Sequence, residues 1–304
     1  MILRRLIAAL ARPAAALMHR CGLMRRQVYV RMDGGLASQM HFYLVGEYFR
    51  NRGFDVEYEL DWYDYCGRDL TGNFARNFEL LKFAPSLPFR RVSNQLKVSL
   101  YRLLYKHVND YEASPASWQA LKAPIYLDGY YPAGEGFYGD MRKVFVAEPV
   151  DVDAANSEMG RRISEAAEAV GMHVRRGDLA VDTYAYGAPA SDDYFIKAIR
   201  LMQGRHGADI PFFIFSDEPQ WVRTHLLPQF PKGCYEIVNL NGSDKGYLDL
   251  WLISQCRHFI TSKGSFGRFG ALLSPRRGDV VICDSAETRN WLSHIPSAIP
   301  LPQK

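Results

Sequence analysis

A dense group of ionisable residues lies at positions 173 to 178, where the sequence reads His-Val-Arg-Arg-Gly-Asp. The apolar run before it predicts a short strand that ends at Val174, and open α/β sheets bind ligands outside the carboxyl ends of their strands. Two adjacent guanidinium forks, Arg175 and Arg176, can hold a pyrophosphate bidentately, and Gly177 lets the backbone approach it. The pattern favours a phosphate site, although arginine pairs at strand ends also bridge surface carboxylates.

The orientation of these side chains follows from the period of a strand. Alternation places His173 and Arg175 on the same face of the strand. His173 then belongs either to the site itself or to a buried, hydrogen-bonded support of the loop.

Two further polar segments follow predicted strands in the second half of the chain. Gly264-Ser-Phe266 precedes an apolar helix, so its amides and the Ser265 hydroxyl could meet phosphate oxygens at a helix N-terminus. The same residues could serve only as a turn and a cap. Ser216 and Asp217 follow an apolar strand; Asp217 could hold a base or a ribose, or it could cap the helix that contains Trp221.

The elements that position these residues have an α/β pattern. In the first half, a strand at 27–32, a glycine turn, a helix and a second strand at 56–60 predict a βαβ beginning and a parallel sheet. The stretch 69–123 is predicted to be mostly helical, and a strand at 125–127 follows it. In the second half we predict a helix from 154 through 169 and strands that end at 174 or lie at 212–215, 236–238, 259–261 and 280–283.

The domain organisation is predicted from shifts in composition. Pro149 and a cluster of small or acidic residues mark a boundary near 150–156. We therefore expect a basic N-terminal segment at 1–26, one α/β domain at 27–153 and a second at 154–304.

The composition narrows the class of protein. The chain has 304 residues, of which 48% are hydrophobic and 23% charged, as in soluble globular proteins. A net charge of +4 without a long basic tract argues against nucleic-acid binding and suits a small anionic ligand. Five scattered cysteines without a CxxC pair favour the cytoplasm, and the absence of about 18 consecutive apolar residues argues against a transmembrane helix.

The N-terminal segment is basic and amphipathic. On a helical wheel, residues such as Leu3, Leu10 and Leu17 share one face, while Arg12 and Arg20 point elsewhere. Such a helix can lie on an anionic membrane surface, although Pro13 is expected to kink or interrupt it. The alternative is an ordinary helix packed on the body of the protein. The expected location is thus the cytoplasm, with peripheral contact on the inner membrane face as one possibility.

The motifs together resemble those of the α-1,2-fucosyltransferases, glycosyltransferase family eleven. The resemblance spans about 27–285. In chain order the matching segments are GGLASQM at 34–40, DGYY at 128–131 followed by Phe145, HVRRGD at 173–178, FSDE at 215–218, an aspartate-to-histidine helix at 249–258 and GSFGRFGAL at 264–272. The chain departs from the family at Ala37 and Ser38, which replace the usual Gly-Asn. It departs again in the last motif, where a serine and the tryptophan-rich part are replaced by Gly264, Gly267, Arg268, Phe269 and Leu272.

This resemblance implies a GT-B-like fold with two Rossmann-type domains and a cleft between them, which bind a nucleotide-sugar donor and a glycan acceptor. It implies inverting transfer of L-fucose from GDP-fucose to a hydroxyl, galactose O2 being the expected position, of a surface glycan such as O-antigen. Another nucleotide-sugar donor, or a non-catalytic GDP- or glycan-binding protein, is the alternative. The implied site residues are, for catalysis, His173, Arg175, Arg176 and Asp178; for the donor, Gly34, Gly35, Gln39, Ser216, Asp217, Asp249, Ser265 and Phe266; and for the acceptor, Asp128, Tyr130 and Tyr131.

The family works without a metal, so we expect no cofactor besides the donor substrate. The Asp-Val-Asp sequence at 151–153 could hold Mn²⁺ or Mg²⁺ in other transferases. Its place just before a helix favours a cap instead. Candidates for the general base that accepts the proton of the acceptor hydroxyl are Asp33, Asp128 and Asp178.

Overall fold

The computed structural model describes residues 2–68, 72, 75–92, 95–109, 118–121, 124–129, 133–139, 141–180, 188–230, 234–285 and 289–303. The chain divides into two compact units. Unit 1 comprises Met1–Arg68, Arg76–Phe78 and Pro88–Gly134, and unit 2 comprises Asp69–Ala75, Glu79–Leu87 and Glu135–Lys304. Each unit contains a sheet whose neighbouring strands are parallel. The expected α/β class with two Rossmann-type units is therefore confirmed.

The elements have the following bounds. The strands are β1 (Gln27–Arg31), β2 (Asp55–Glu59), β3 (Lys106–Asn109), β4 (Ile125–Asp128), β5 (Val170–Val174), β6 (Pro211–Ser216), β7 (Cys234–Val238), β8 (His258–Thr261), β9 (Val280–Asp284) and β10 (Ala298–Pro302). The longer helices are α1 (Ile2–Arg20), α2 (Leu36–Arg50), α5 (Gln95–Leu104), α7 (Ala154–Glu165), α8 (Asp192–His206), α10 (Gly246–Ser254) and α11 (Phe266–Leu273). The shortest are α3 (Asp61–Tyr65), α4 (Leu80–Phe83), α6 (Met141–Val144) and α9 (Pro219–Trp221), and 3-10 turns lie at Asp178–Ala180, Leu227–Gln229 and Arg289–Ser293.

In unit 1 the sheet has the strand order β2-β1-β4-β3. The central strand β1 pairs Val28 with Val56 of β2 on one side and with Ile125 of β4 on the other. Val28, Tyr29 and Val30 are all buried. A strand covered on both faces reads as a continuous apolar run without polar alternation, as in QVYVR here.

Helix α1 belongs to unit 1 and packs on α5. The helix runs without a break from Ile2 to Arg20 with Pro13 inside it, so the expected interruption at this proline is wrong. The Arg12 side chain donates a hydrogen bond to the carbonyl of Leu103 at 3.3 Å. Ala15 is buried in the contact.

In unit 2 the sheet has the order β10-β9-β8-β5-β6-β7. The chain leaves β5 toward β6 and β7, then returns to the other side of β5 and adds β8, β9 and β10. The point where the strand order reverses lies between β5 and β8. In open parallel sheets this reversal leaves a crevice at the carboxyl ends of the two strands, where ligands bind.

The boundary between the units differs from the expected one at 153/154. In the structure it lies at Gly134/Glu135, because the stretch after it is tied to unit 2. The amide of Glu148 donates to the carbonyl of Phe83 at 3.2 Å, and the amide of Val150 donates to that of Lys82 at 2.9 Å.

Two strands differ from the sequence prediction. The middle of the chain contains the helices α4 and α5 but also the strand β3, and β10 follows the expected last strand. Both lie at an edge of their sheets. Edge strands need less apolar surface and tolerate proline, so neither Lys106–Asn109 nor the proline-containing Ala298–Pro302 carries a strong strand pattern. The helix expected through 169 ends at Glu165.

Candidate functional site

Ser262 joins the carboxyl ends of β5 and β8 at the reversal point of the sheet. Its amide donates to the carbonyl of His173 at 3.2 Å, and its hydroxyl accepts the amide of Arg175 at 3.1 Å. The same hydroxyl lies 3.3 Å from Nδ1 of His173. Ser262 and His173 are both buried. The imidazole is therefore held in place by the neighbouring strand, in agreement with a supporting role for His173.

The first turn of α11 lies directly against His173 and Arg175. A Cβ atom at Gly264, which has a φ of +86°, would lie 2.4 Å from Nη1 of Arg175. A Cβ at Gly267 would lie 2.7 Å from Cβ of His173, and the rings of Phe266 and His173 are 5.3 Å apart. The same-face prediction for His173 and Arg175 is confirmed. It brings a guanidinium to the N-terminus of a helix, where partial positive charge also accumulates.

Arg176 contacts a different element. Its guanidinium carbon lies 3.8 Å from the ring centroid of Trp221, and its Nε lies 3.5 Å from Oε2 of Glu218. The two arginines thus rest against α11 and against the segment 218–221, respectively. Stacking on an aromatic face and pairing with a carboxylate orient the Arg176 fork.

Asp217 holds the backbone of the loop after β5. Its Oδ1 accepts the amide of Arg176 at 2.9 Å, and its Oδ2 accepts the amide of Gly177 at 3.1 Å. The cap position of α9 is occupied by Glu218, so the alternative of Asp217 as a helix cap is wrong. Ser216 has a local role, because its hydroxyl accepts the amide of Glu218 at 3.0 Å.

Two cations, one just before the last motif and one inside it, were not predicted from the sequence. Lys263 is buried and donates to the carbonyl of Ala188 at 2.6 Å. Arg268 is fully buried; its Nε donates to the carbonyl of Gly264 at 2.9 Å, and its guanidinium carbon lies 4.6 Å from the ring centroid of Trp291. The signal available in the sequence was a charged residue inside the otherwise apolar helix α11 and another in the short loop between β8 and α11. The region around Arg175 is consequently rich in positive charge.

The remaining residues of this edge are placed as follows. Ser265 occupies the N-cap position of α11 without a side-chain capping hydrogen bond, and both Ser265 and Phe266 are partly exposed. The backbone of Asp178 begins a 3-10 turn directly after the loop, and its side chain lies outside the described part.

Asp249 lies in the first turn of α10 and belongs to a polar chain of side chains. Asn241 donates to Asp249 at 2.7 Å and to Asn156 at 2.9 Å, and Asn156 in turn donates to Asp153. Burial raises the pKa of Asp249 to about 7. This carboxyl therefore holds its proton to a higher pH than an exposed aspartate does.

In unit 1 the glycine turn after β1 is organised by its own polar groups. Gly34 has a φ of +71°, which favours glycine, and Gly35 precedes α2 as its N-cap. Gln39 is fully buried, and its amide donates to the carbonyl of Asn77 at 2.8 Å and to that of Gly34 at 3.3 Å. The Gln39 side chain thus shapes the turn from within.

A pocket of about 250 Å³ opens at the carboxyl ends of β1 and β2 in unit 1. Arg31, which ends β1, donates to Asp128 at the end of β4 at 2.8 Å. Tyr130 and Tyr131, the other expected acceptor residues, lie outside the described residues. The side chains that line the pocket are Arg31, Asp61, Trp62, Tyr65, Cys66 and Arg102.

A buried carboxylate, Glu59, holds one of the side chains that line this pocket. Glu59 accepts hydrogen bonds from Arg102 and from the hydroxyl of Tyr126. Arg102 also donates to that hydroxyl, at 2.9 Å. Burial raises the pKa of Glu59. The network fixes the Arg102 side chain where it enters the pocket.

Two groups in unit 2 have metal-ligand residue types. Asp153 is the N-cap of α7 and accepts the amide of Asn156 at 2.9 Å, which confirms the expected cap.

Glu168, His206 and His258 cluster at the amino ends of the strands, at the edge of the sheet opposite to Arg175. The amide of Asp279 donates to Nδ1 of His258 at 3.0 Å. Neutral His258 therefore carries its proton on Nε2, which lies 2.7 Å from Glu168, and this tautomer offers no lone pair to a metal there.

The arrangement at the carboxyl ends of β5 and β8 is suited to an anion. An arginine fork, a helix N-terminus and a glycine without a side chain meet at one point of the sheet.

The model of the family named Glycosyl transferase family 11 matches residues 91–295, which is more than half of the chain. The chain belongs to glycosyltransferase family 11. This membership makes the protein an enzyme that transfers a glycosyl group, and its two Rossmann-type units agree with the expected GT-B-like class.

Individual relatives agree with this assignment. An α-1,2-colitosyltransferase of Escherichia coli is 24% identical over 262 residues, which cover 81% of this chain and 87% of that protein. An O-antigen biosynthesis glycosyltransferase of the same organism is 27% identical over 133 residues, 43% of this chain and 41% of that protein. A galactoside 2-alpha-L-fucosyltransferase of Bos taurus is 30% identical over 159 residues, 49% of this chain and 42% of that protein.

Solved structures similar to this glycosyltransferase are distant. The ADP-heptose LPS heptosyltransferase II of Escherichia coli has a TM-score of 0.45 at 13% identity and is covered to 90%, as is this chain. POFUT1 in complex with GDP-fucose has a TM-score of 0.41 at 12% identity, with 84% of this chain and 98% of that chain covered.

Proposed function

We propose that this glycosyltransferase moves L-fucose from GDP-fucose to a galactose hydroxyl, O2 being the expected position, of a surface glycan such as O-antigen. The observation that carries the donor side is the guanidinium of Arg175 lying against Gly264 at the N-terminus of α11. Relatives named as fucosyltransferases and as an O-antigen transferase support the sugar and the kind of acceptor.

The proposed reaction is an inverting displacement. The acceptor hydroxyl oxygen attacks the anomeric carbon, the bond from that carbon to the β-phosphate oxygen breaks, and GDP leaves with the electron pair through an oxocarbenium-like state. Negative charge develops on the β-phosphate, where Arg175 and the α11 amides would stabilise it. The proton of the hydroxyl passes to a base for which Asp33, Asp128 and Asp178 are candidates. Asp128 is the least suited of these, because it is already paired with Arg31.

The pocket of unit 1 is the proposed binding place of the acceptor sugar. Trp62 and Tyr65 offer aromatic faces to the apolar side of a pyranose ring, and Arg31, Asp61 and Arg102 offer partners to its hydroxyls. The expected acceptor residue Asp128 would then act through Arg31, whose orientation it holds.

A second donor is supported by a specific observation. The α-1,2-colitosyltransferase of Escherichia coli aligns over 87% of its length, more than the fucosyltransferase of Bos taurus does. A colitosyl donor in place of the fucosyl donor is therefore the alternative.

The deciding experiment compares donors and then acceptors. Hydrolysis and transfer are measured with GDP-fucose, a GDP-colitose preparation, GDP-mannose and UDP-sugars, and the product on a panel of galactosides is analysed for linkage. GDP-fucose is expected to be turned over fastest and to give an α-1,2 product. Preference for another donor would reject the fucosyl assignment, and GDP binding without turnover of any donor would reject catalysis.

A further inference from the structure

The large apolar side chains that unit 1 exposes are concentrated on two neighbouring helices. Among the described residues, eleven large apolar side chains are exposed, and eight of them lie on α1, on the turn after it or on α5. The eight are Leu6, Ile7, Leu10, Leu17, Met18, Leu23, Leu96 and Leu100. Isolated exposed leucines are common on protein surfaces, but their concentration on two helices that pack together is typical of an interaction site.

Helix α1 packs with its small residues and not with its leucines. Ala15 is 4% exposed and Arg12 bonds to Leu103 of α5, whereas Leu10 on the other side of the helix is 79% exposed and Leu17 is 61% exposed. An ordinary amphipathic helix turns its largest apolar side chains toward the core. In α1 that preference is reversed, so the leucine side is available to another partner.

Helix α5, on which α1 rests, repeats the pattern. Leu96 and Leu100 are one helical turn apart and therefore share a face, and both are exposed. Val98, between them in sequence, is buried in the core of unit 1.

The charge of this segment identifies the partner. The N-terminal segment, residues 1–26, contains six arginines and no acidic residue; the first acidic residue of the chain is Asp33. A basic segment with an exposed apolar face is complementary to an anionic lipid surface, in which leucines enter the acyl boundary while arginines meet the headgroups. No described helix is long and apolar enough to cross a bilayer.

We infer that α1 and α5 together form a docking surface for an anionic membrane, on which the enzyme lies peripherally. The named leucines enter the interface, and exposed arginines such as Arg20 contact the headgroups. This inference does not depend on the identity of the donor or the acceptor.

The test uses the full chain and sedimentation with vesicles. Vesicles of phosphatidylcholine alone are compared with vesicles that also contain phosphatidylglycerol, at low and at high salt. The unmodified protein is expected to sediment with the phosphatidylglycerol vesicles and to be released by salt, because screening weakens the attraction to headgroups. Absence of binding to these vesicles would overturn the inference.

Variants locate the surface. The triple substitution Leu6→Gln, Leu10→Gln, Leu17→Gln and the double substitution Leu96→Gln, Leu100→Gln should each weaken vesicle partition by about tenfold or more, since each buried methylene strengthens membrane binding. The matched control replaces two exposed apolar residues of unit 2, Val146→Gln with Leu240→Gln, and should bind like the unmodified protein.

Two further measurements separate this surface from its alternatives. The melting temperature of the triple variant should be unchanged, since the three leucines are exposed; a large drop would mean that they pack on the protein and would contradict the surface. Sedimentation velocity gives the oligomeric state. A dimer that the triple substitution dissociates, without any effect on vesicle binding, would assign the surface to a second copy of the chain.

Discussion

The carboxylate of Asp217 binds the backbone at Arg176, with 2.9 Å between Oδ1 and the amide nitrogen. Its second oxygen accepts the next amide, that of Gly177, at 3.1 Å. One side chain at the end of β6 thereby fixes the path of the loop that ends β5. Asp217 is exposed, so its carboxylate can do this while still facing solvent or a ligand.

Replacement of Asp217 by asparagine should reduce donor turnover by about tenfold, because an amide oxygen accepts only one of the two N–H groups and hydrogen bonds to a charged acceptor contribute roughly 1.5–3 kcal/mol. Rates of GDP-fucose hydrolysis and of transfer would be measured together. The control is Asp193→Asn on α8, an exposed carboxylate that pairs with Lys197 and should change little. Equal activity of Asp217→Asn and the unmodified enzyme would argue against this role.

A methyl group at Gly264 should displace Arg175. The added Cβ would lie 2.4 Å from Nη1, so the guanidinium must move away from the N-terminus of α11. We expect Gly264→Ala to lower kcat by about a hundredfold, the loss typical of removing one preorganised donor.

The matched control for Gly264 is Gly136→Ala in the same unit. Gly136 also has a positive φ, +75°, but a Cβ there meets nothing within 4 Å. Both variants should lose about 1–2 kcal/mol of stability from the backbone conformation, and only Gly264→Ala should lose activity. A similar small effect of both on kcat would remove the steric explanation.

Trp62→Ala should separate acceptor binding from donor chemistry. If an acceptor ring packs on Trp62, its loss raises the acceptor KM by about tenfold while hydrolysis of GDP-fucose without acceptor is unchanged. Kinetics with a β-galactoside as the varied substrate would show this. Loss of hydrolysis as well would place the effect on the donor or on folding.

Much of the proposed donor site could be predicted because it is local in sequence. The strand that ends at Val174 and the shared face of His173 and Arg175 follow from the strand period alone. The partner of Asp217 could not be predicted in this way, because the amides it binds lie 41 and 40 residues earlier in the chain. A helix cap within four residues was the nearer interpretation.

The inverted packing of α1 shows a second limit of sequence patterns. An apolar stripe indicates that one face of a helix is buried, but it does not show whether the protein core or another partner covers that face. In α1 the described leucines of the stripe are exposed, whereas Ala15 is buried and the Arg12 guanidinium donates to Leu103 of α5. Similarly, the paired arginines follow from the sequence, but the contact of Arg176 with Trp221 depends on the position of β6.

Asp249 should make stability depend on pH in an unusual direction. Its pKa of about 7 in the folded enzyme, caused by burial, exceeds the value of about 3.9 in an unfolded chain. The folded state therefore holds the proton more tightly, and the free energy of unfolding falls as the pH rises from about 4 to 7. At 1.36 kcal/mol for each pH unit, the upper bound of this loss is about 4 kcal/mol.

The comparison that checks the role of Asp249 is Asp249→Asn, which keeps an oxygen for Asn241 but cannot ionise. Relative to the unmodified enzyme, this variant should gain stability as the pH increases across that range. Urea unfolding at several pH values gives the difference. Parallel pH profiles of the two proteins would exclude Asp249 as the titrating group.

Activity should persist in the presence of EDTA, since the charge of the leaving group is proposed to be stabilised by Arg175 and not by a metal. The Asp153→Asn variant should remain active, because asparagine also caps helices well. Its melting temperature would be compared with that of Asp153→Ala, which should melt at a lower temperature because the cap of α7 is lost. Inactivation by EDTA that added Mn²⁺ reverses would contradict the proposed mechanism.

The bridge that Ser262 makes between β5 and β8 has a consequence for the proposed recognition of the donor. Its amide and hydroxyl fix both His173 and Arg175 to the adjacent strand, and Asp217 fixes the following loop to β6. The conformational entropy of ordering these three strand ends is therefore lost when the protein folds and not when the donor arrives. A nucleotide that binds this edge of the sheet, as proposed, would meet strand ends that are already ordered. Little of its binding free energy would therefore be lost to ordering the protein.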